Sequence, residues 1–261
     1  MGLGRAFQKF QEGDYQEAYE LAQNATTNPV ERRYLMAKCL WKLGQTGEAR
    51  KLLDTIKGPL EDYIMTRYLD GAAKPYIEAA VPFKFGGFDD LDTYQKKVLA
   101  GNRMGLESSE YYEDFVDINT WKWKSAAKAR EFEKIAGIDC SGYVQRVQQG
   151  MFKAAGVPYP IQGRTSTSGL SSPAVSTQIN PGFKPPPPPD IKPGDMILLD
   201  YGHNRYGHSM IYRGRDAKGN ILVTQMGGVP ENGILAPEKV QFYKGTYRLK
   251  GMDKVRQKVL A

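Results

Sequence analysis

Cysteine and histidine are scarce in this 261-residue chain, which has two of each. Cys39 and Cys140 lie about 100 residues apart and make no disulfide framework, so both are expected as free thiols. Two histidines are too few to assemble a multi-ligand zinc site, so neither a metal nor a cofactor is expected. Long apolar runs are missing as well. Nothing approaches the roughly 18 to 20 residues of a membrane span, so no stable membrane insertion is expected. The opening MGLGRAFQKFQEGDYQ lacks the apolar core of a secretory signal. Either the protein stays inside the cell or a leader stands outside this sequence. Dense Lys/Arg runs and nucleic-acid motifs are absent too, so no nucleic-acid partner is expected.

What is present is 41% hydrophobic residues, enough for one large domain or two small ones. The net charge of +7 is uneven. Residues 1–120 carry 15 Lys+Arg against 19 Asp+Glu, and residues 121–261 carry 21 against 10. The basic second half suits an anionic partner such as an acidic polymer, and its scattered charges serve solubility equally well.

Near the N-terminus, GDYQEAYELAQ from Gly13 and GQTGEARKLLD from Gly44 align without gaps at a spacing of 31 residues. The alignment pairs Glu17 with Glu48, Ala18 with Ala49 and Leu21 with Leu52. Each unit reads as helix, glycine turn, helix, with the small alanine letting the helices approach. A further helix, LEDYIMTRYLDGA, follows from Leu60. The pattern over residues 5–75 resembles the tetratricopeptide repeat, with a period shorter than the usual 34 and no closing proline in the first unit. Such repeats imply a protein partner. An ordinary pair of helical hairpins is the alternative reading.

Residues 79–120 are polar and aromatic with weak periodicity and read as a connector between a helical domain, 1–78, and a second domain, 121–261. Asp89, Asp90 and Asp92, like Glu107, Glu110 and Glu113, lack calcium-loop spacing and read as solvated acidic faces. The stretch 161–192, rich in Ser, Thr, Gly and Pro, reads as a long loop with a polyproline run. Strands are expected in IKPGDMILLDY, HSMIYRG, NILVTQMGG and KVQFYKGTYRL, with a hairpin turn at DAKGN. One helix followed by antiparallel strands is an α+β arrangement.

The helix is the chemically interesting element. In IAGIDCSGYVQRVQQ, Asp139 is a favourable N-cap, which puts Cys140 in the first turn among unpaired backbone N–H groups. A thiol placed there, and beside an imidazole, is expected to have a lowered pKa. Ser141 and Gly142 are small and leave room for a substrate. Tyr143, Val144, Val147, Met151 and Phe152 space out one buried helix face. Of the two possible bases, His208 opens a strand and is held more firmly than His203, which lies in the turn DYGHNRYG. Gln225 falls on the next strand, on the side that places it beside His208 across the DAKGN hairpin, and is the candidate to orient the ring. Cys39, on an apolar helix face, reads as an inert core thiol.

IDCSGYV, PGDMILLDYG and GHSMIYRG, in that order, resemble the core of the NlpC/P60 cysteine peptidases, a branch of the papain-like fold. GRTSTSG, with Arg164 and Ser166, is similar to that family's Arg-Thr-Ser stretch. The resemblance covers residues 120–250. It implies a papain-like domain with the cysteine at a helix N-terminus packed on an antiparallel sheet. It also implies catalysis by Cys140, His208 and Gln225, with Asp139, Ser141, Trp121, Arg164 and Ser166 toward the substrate. The implied substrate is the peptide stem of bacterial peptidoglycan, cut between γ-D-glutamate and a diamino acid, which implies a periplasmic or extracellular location. Arg164 or Arg146 would meet substrate carboxylates. The family usually has a tyrosine upstream of the cysteine. In TWKWKSAAKAR, Trp121 stands there, and an indole supplies no phenol hydroxyl. Two other readings stay open: an acyltransferase or lipid-amide hydrolase of related fold, and an inactive adaptor built on the repeats.

Overall fold

The computed structural model describes residues 2–105, 113–117, 119–120, 122–179, 190–201 and 207–260. Trp121, His203, Glu107, Glu110 and the proline run 185–189 lie outside the described residues. The chain forms two compact units, one ending at Met65 and the other running Thr66–Val259.

The first unit contains α1 (Gly4–Glu12), α2 (Tyr15–Gln23), α3 (Pro29–Lys42), α4 (Thr46–Asp54) and the start of α5 (Lys57–Glu78). The repeated glycines end α1 and α3 in the same way. Gly13 and Gly44 take φ of 87° and 80°, a left-handed conformation that strains any residue with a Cβ. In each turn the next residue donates five positions back, Asp14 to Lys9 O and Gln45 to Leu40 O, both closing a Schellman-type cap. Ala18 and Ala49, paired in the alignment, are both fully buried. Cys39 joins Ala18, Ala22 and Leu35 in the core, and burial pushes its thiol up to about 11. It has no exposed, ionisable character.

In the second unit, α5 continues through Pro75 to Glu78, beyond the stretch expected from sequence. Residues 79–105, expected as part of a connector, pack into this unit instead. Their backbone exchanges bonds with the segment before Cys140: Lys84 N–H to Ile138 O at 3.0 Å, and Ile138 N–H to Pro82 O at 3.1 Å. The expected acidic face is also not there. Asp89 is buried, accepting from Lys97 Nζ at 2.7 Å and from Gly137 N–H at 3.0 Å. Asp90 caps α6 (Leu91–Leu99), accepting from Thr93 N–H at 2.8 Å. Asp92, exposed, pairs with Lys96 one helical turn on.

A two-stranded hairpin, β1 (Val116–Asp117) with β2 (Lys122–Trp123), leads into α7 (Ala126–Lys134) and then α8 (Cys140–Ala154). The face of α8 expected to be apolar is buried at Tyr143, Val144, Val147, Met151 and Phe152. After the short α9 (Thr167–Leu170) come β3 (Ser176–Gln178), β4 (Met196–Asp200), β5 (Gly207–Arg215), β6 (Ile221–Met226), β7 (Pro230–Ile234) and β8 (Tyr243–Leu249). These six pair antiparallel in the order β3-β8-β4-β5-β6-β7, and α10 (Met252–Leu260) closes the described chain. The mixed helix-and-sheet class agrees with expectation, and two strands of the six-stranded sheet, like the β1–β2 hairpin, go beyond it. β3 lies inside the stretch read as loop, pairing Ser176 with Leu249. β7, PENGI, carries residues that disfavour strands, and as an edge strand opening on proline it tolerates them.

Two polar features tie the elements of this unit together. Tyr143 Oη and Thr224 Oγ1 on β6 share a hydrogen bond of 2.6 Å. Just before β4, the aspartate of the PGD turn is fully buried. Asp195 accepts from Arg248 on β8 and from Arg256 on α10, each at 2.9 Å, and from Lys192 N–H at 2.8 Å. One carboxylate thus ties the turn, the sheet and the last helix together.

Candidate active site

Asp139 begins α8 as the sequence suggested, and its carboxylate is fully engaged. Oδ1 accepts from Gly142 N–H at 2.6 Å and from Ser141 Oγ at 2.9 Å. Oδ2 accepts from Gly86 N–H at 3.0 Å and from the Arg164 guanidinium. With four donors in place, Asp139 builds the helix start and has no acceptor to spare for a substrate. Gly142 is required there: a Cβ would lie 2.5 Å from the Gly87 carbonyl oxygen. The N–H groups of Cys140 and Ser141, the first two of the helix, take no partner among the described residues. Unpaired donors at a helix N-terminus favour negative charge.

The Cys140 sulfur lies 3.9 Å from Thr167 Oγ1 and 3.9 Å from Gly207 O, and Ser209 N–H is also close enough to act on it. Gly207 and Ser209 flank His208, so the imidazole hangs from the stretch of backbone against which the sulfur rests. His208 Nε2 lies 3.0 Å from Gln225 Oε1, and Gln225 Nε2 donates to Glu231 Oε1 at 2.9 Å. Cys140 and His208 form no hydrogen bond with each other at rest; each keeps the partners just named. Both line one cleft of ≈ 280 Å³, together with Thr167, Tyr201, Met226 and Lys239.

The electrostatics differ from the expectation. Burial and then the Asp139 charge push the Cys140 thiol up, outweighing the Ser209 and Thr167 hydrogen bonds that favour the thiolate. Burial pushes the His208 imidazole down, with Lys239 adding to that and Gln225 opposing it. Both shifts favour the neutral forms, opposite to the lowered thiol pKa expected from the helix N-terminus. Alkylation of Cys140 by iodoacetamide is accordingly expected to be slow at neutral pH, with a midpoint above the free-thiol value of about 8.5. Peptide mapping of the label against pH checks this.

The remaining candidates divide. Ser141 is buried, with its hydroxyl on Asp139, and reaches the cleft wall. Arg164 also lines the cleft and is already paired with Asp139. Ser166 caps α9, accepting from Gly169 N–H at 3.2 Å at the cleft edge. Arg146 stacks at 3.8 Å on the Phe88 ring and donates to Phe88 O, away from the cleft lining. Lys239, which sequence reasoning passed over, lines the cleft, and its ammonium has no hydrogen-bond or ion-pair partner among the described residues. Thr167 and Glu231 were also missed. Thr167 stood in the GRTSTSG stretch already singled out, whereas Glu231 gave no signal apart from the unexpected strand β7.

The N-terminal helices match the tetratricopeptide repeat over residues 9–62. That match lies within the first unit and agrees with the glycine-turned helix pairs described above. Such repeats suggest protein–protein interaction. Neither the curated proteins nor the solved structures give a match to the chain. Among the described residues no helix is long and apolar enough to cross a membrane.

Proposed function

We propose that the protein is a cysteine peptidase of NlpC/P60 type, papain-like in its second unit, that hydrolyses amide bonds in peptidoglycan stem peptides. The observation that carries the reading is the row Glu231–Gln225–His208, which ends in the same cleft as a cysteine at a helix N-terminus. An imidazole held in line beside a thiol and unpaired N–H groups supplies a base, a nucleophile and an oxyanion site.

In the proposed reaction, His208 takes the thiol proton as the Cys140 sulfur bonds to the amide carbon. The oxygen, now negative, is met by the N–H groups of Cys140 and Ser141. The C–N bond breaks, the amine leaves with the proton from His208, and water hydrolyses the thioester. Because the thiol is shifted up and the imidazole down, proton transfer belongs to the attack step and does not precede it. Arg164 is committed to Asp139, which leaves Lys239 as the cleft cation best suited to a substrate carboxylate. The bond between γ-D-glutamate and a diamino acid is the proposed target, on the strength of the sequence resemblance. A periplasmic or extracellular location follows from that substrate, and the repeats would recruit a protein partner.

The upward shift of the Cys140 thiol also favours a second reading, an inactive adaptor organised by the repeats. Incubation of the protein with purified muropeptides, followed by mass analysis, separates the two. The peptidase reading expects two fragments from one stem, and an adaptor leaves the muropeptides intact.

A further inference from the structure

We infer that Glu231 is a positioning residue that fixes, through the Gln225 amide, which ring nitrogen of His208 carries the proton. This deepens the base role proposed for His208 and rests on it for any consequence in turnover.

The argument begins with strand register. Gln225 on β6 stands directly opposite Glu231 on β7 and opposite Met210 on β5. His208 precedes Met210 by two residues, so it shares that face and meets Gln225 diagonally. Three side chains from three adjacent strands therefore form one transverse row, linked at 2.9 Å and 3.0 Å.

Donor and acceptor chemistry then fixes the row's direction. An ionised carboxylate only accepts, so the Gln225 amide must turn its NH₂ toward Glu231. Its oxygen then faces His208 Nε2, which must donate. Burial keeps the ring neutral, so the proton sits on Nε2 and the lone pair on Nδ1. The amide group itself has nearly the same shape in either orientation. Without an acceptor at position 231, Gln225 is free to turn over, present NH₂ to Nε2 and drive the proton onto Nδ1. That tautomer has lost the lone pair a base needs there. Gln225 is only 7% exposed, so few waters compete for its orientation.

The test is nuclear magnetic resonance on the full chain labelled with ¹⁵N-histidine, at a pH where the rings are neutral. With two histidines, a His203→Gln variant assigns the signals. The wild type and Glu231→Gln, whose new amide oxygen still accepts, are expected to hold the His208 proton on Nε2. Glu231→Met is expected to show a clear population with the proton on Nδ1. On muropeptides, the same variant should lose about tenfold or more in kcat with KM changed less than about twofold. A Glu231→Met spectrum that retains only the Nε2–H tautomer would overturn the inference. If the wild type cleaves no stem peptide, the base role fails, and the spectra still decide what Glu231 does.

Discussion

Cys140→Ser is expected to abolish cleavage of stem-peptide amides, with kcat falling by about 10⁴-fold or more, the scale on which loss of a catalytic nucleophile acts. The size of the loss follows from the site's electrostatics. The imidazole is already shifted down by burial, so it is a weak base even toward a thiol. A serine hydroxyl holds its proton far more tightly than a thiol, and the charge that acts on this position is Asp139, which disfavours an anion. The folded structure should hardly notice the change. The sulfur's neighbours, Thr167 Oγ1 and Gly207 O, lie at 3.9 Å, too far to bond a serine oxygen, and the cleft that Cys140 lines gives that hydroxyl access to water. Unfolding free energy is expected to stay within about 1 kcal/mol of wild type, since no cavity or unpaired charge is created. Chromatography of digested muropeptides and urea denaturation read the two halves of this expectation.

The second large effect lies far from the cleft. Asp195→Asn is expected to lower unfolding free energy by about 3–5 kcal/mol, the usual result of removing one partner from a buried ion pair. The carboxylate is fully buried and receives two guanidinium groups, with Arg256 almost as buried as Asp195 itself. An amide of the same shape removes the negative charge and replaces one acceptor by a donor. Two arginines are then left with only the exposed Asp253, 2.9 Å from Arg256 and 3.5 Å from Arg248, as a counter-charge. Urea denaturation of the variant, beside Arg248→Met as a partial break on the more exposed side, measures the loss. Of the two guanidinium groups, Arg248 reaches solvent more readily, so its removal should cost less.

Much of the site was legible because its placement depends on local rules. The N-cap at Asp139, the buried stripe of α8 and the start of β5 at His208 each rest on a few adjacent residues. Gln225 beside His208 needed only strand alternation and a hairpin turn. What was not legible depends on contacts between distant segments. The direction of the Cys140 shift comes from burial under residues 207–209 and from a carboxylate that the sequence presented as a cap. Residues 79–105 look like a connector because their hydrogen bonds go to the backbone of 136–139, and backbone bonding leaves no side-chain periodicity. Asp89 looks like part of a solvated cluster, and only the fold shows Lys97 and Gly137 N–H converging on it. β7 reads as a turn-rich segment, since Pro230, Asn232 and Gly233 are tolerated only at a sheet edge. Missing β7 meant missing Glu231, and with it the orientation of the whole row.

The most direct measurement is the intact mass of the protein, quenched in acid shortly after mixing with purified muropeptides. The expected result is a transient increase equal to the acyl portion of the stem. It should map to the peptide bearing Cys140, disappear on treatment with hydroxylamine as a thioester does, and be absent from Cys140→Ser. Stem cleavage that proceeds unchanged in Cys140→Ser, or muropeptides that stay intact with no adduct formed, would contradict the account.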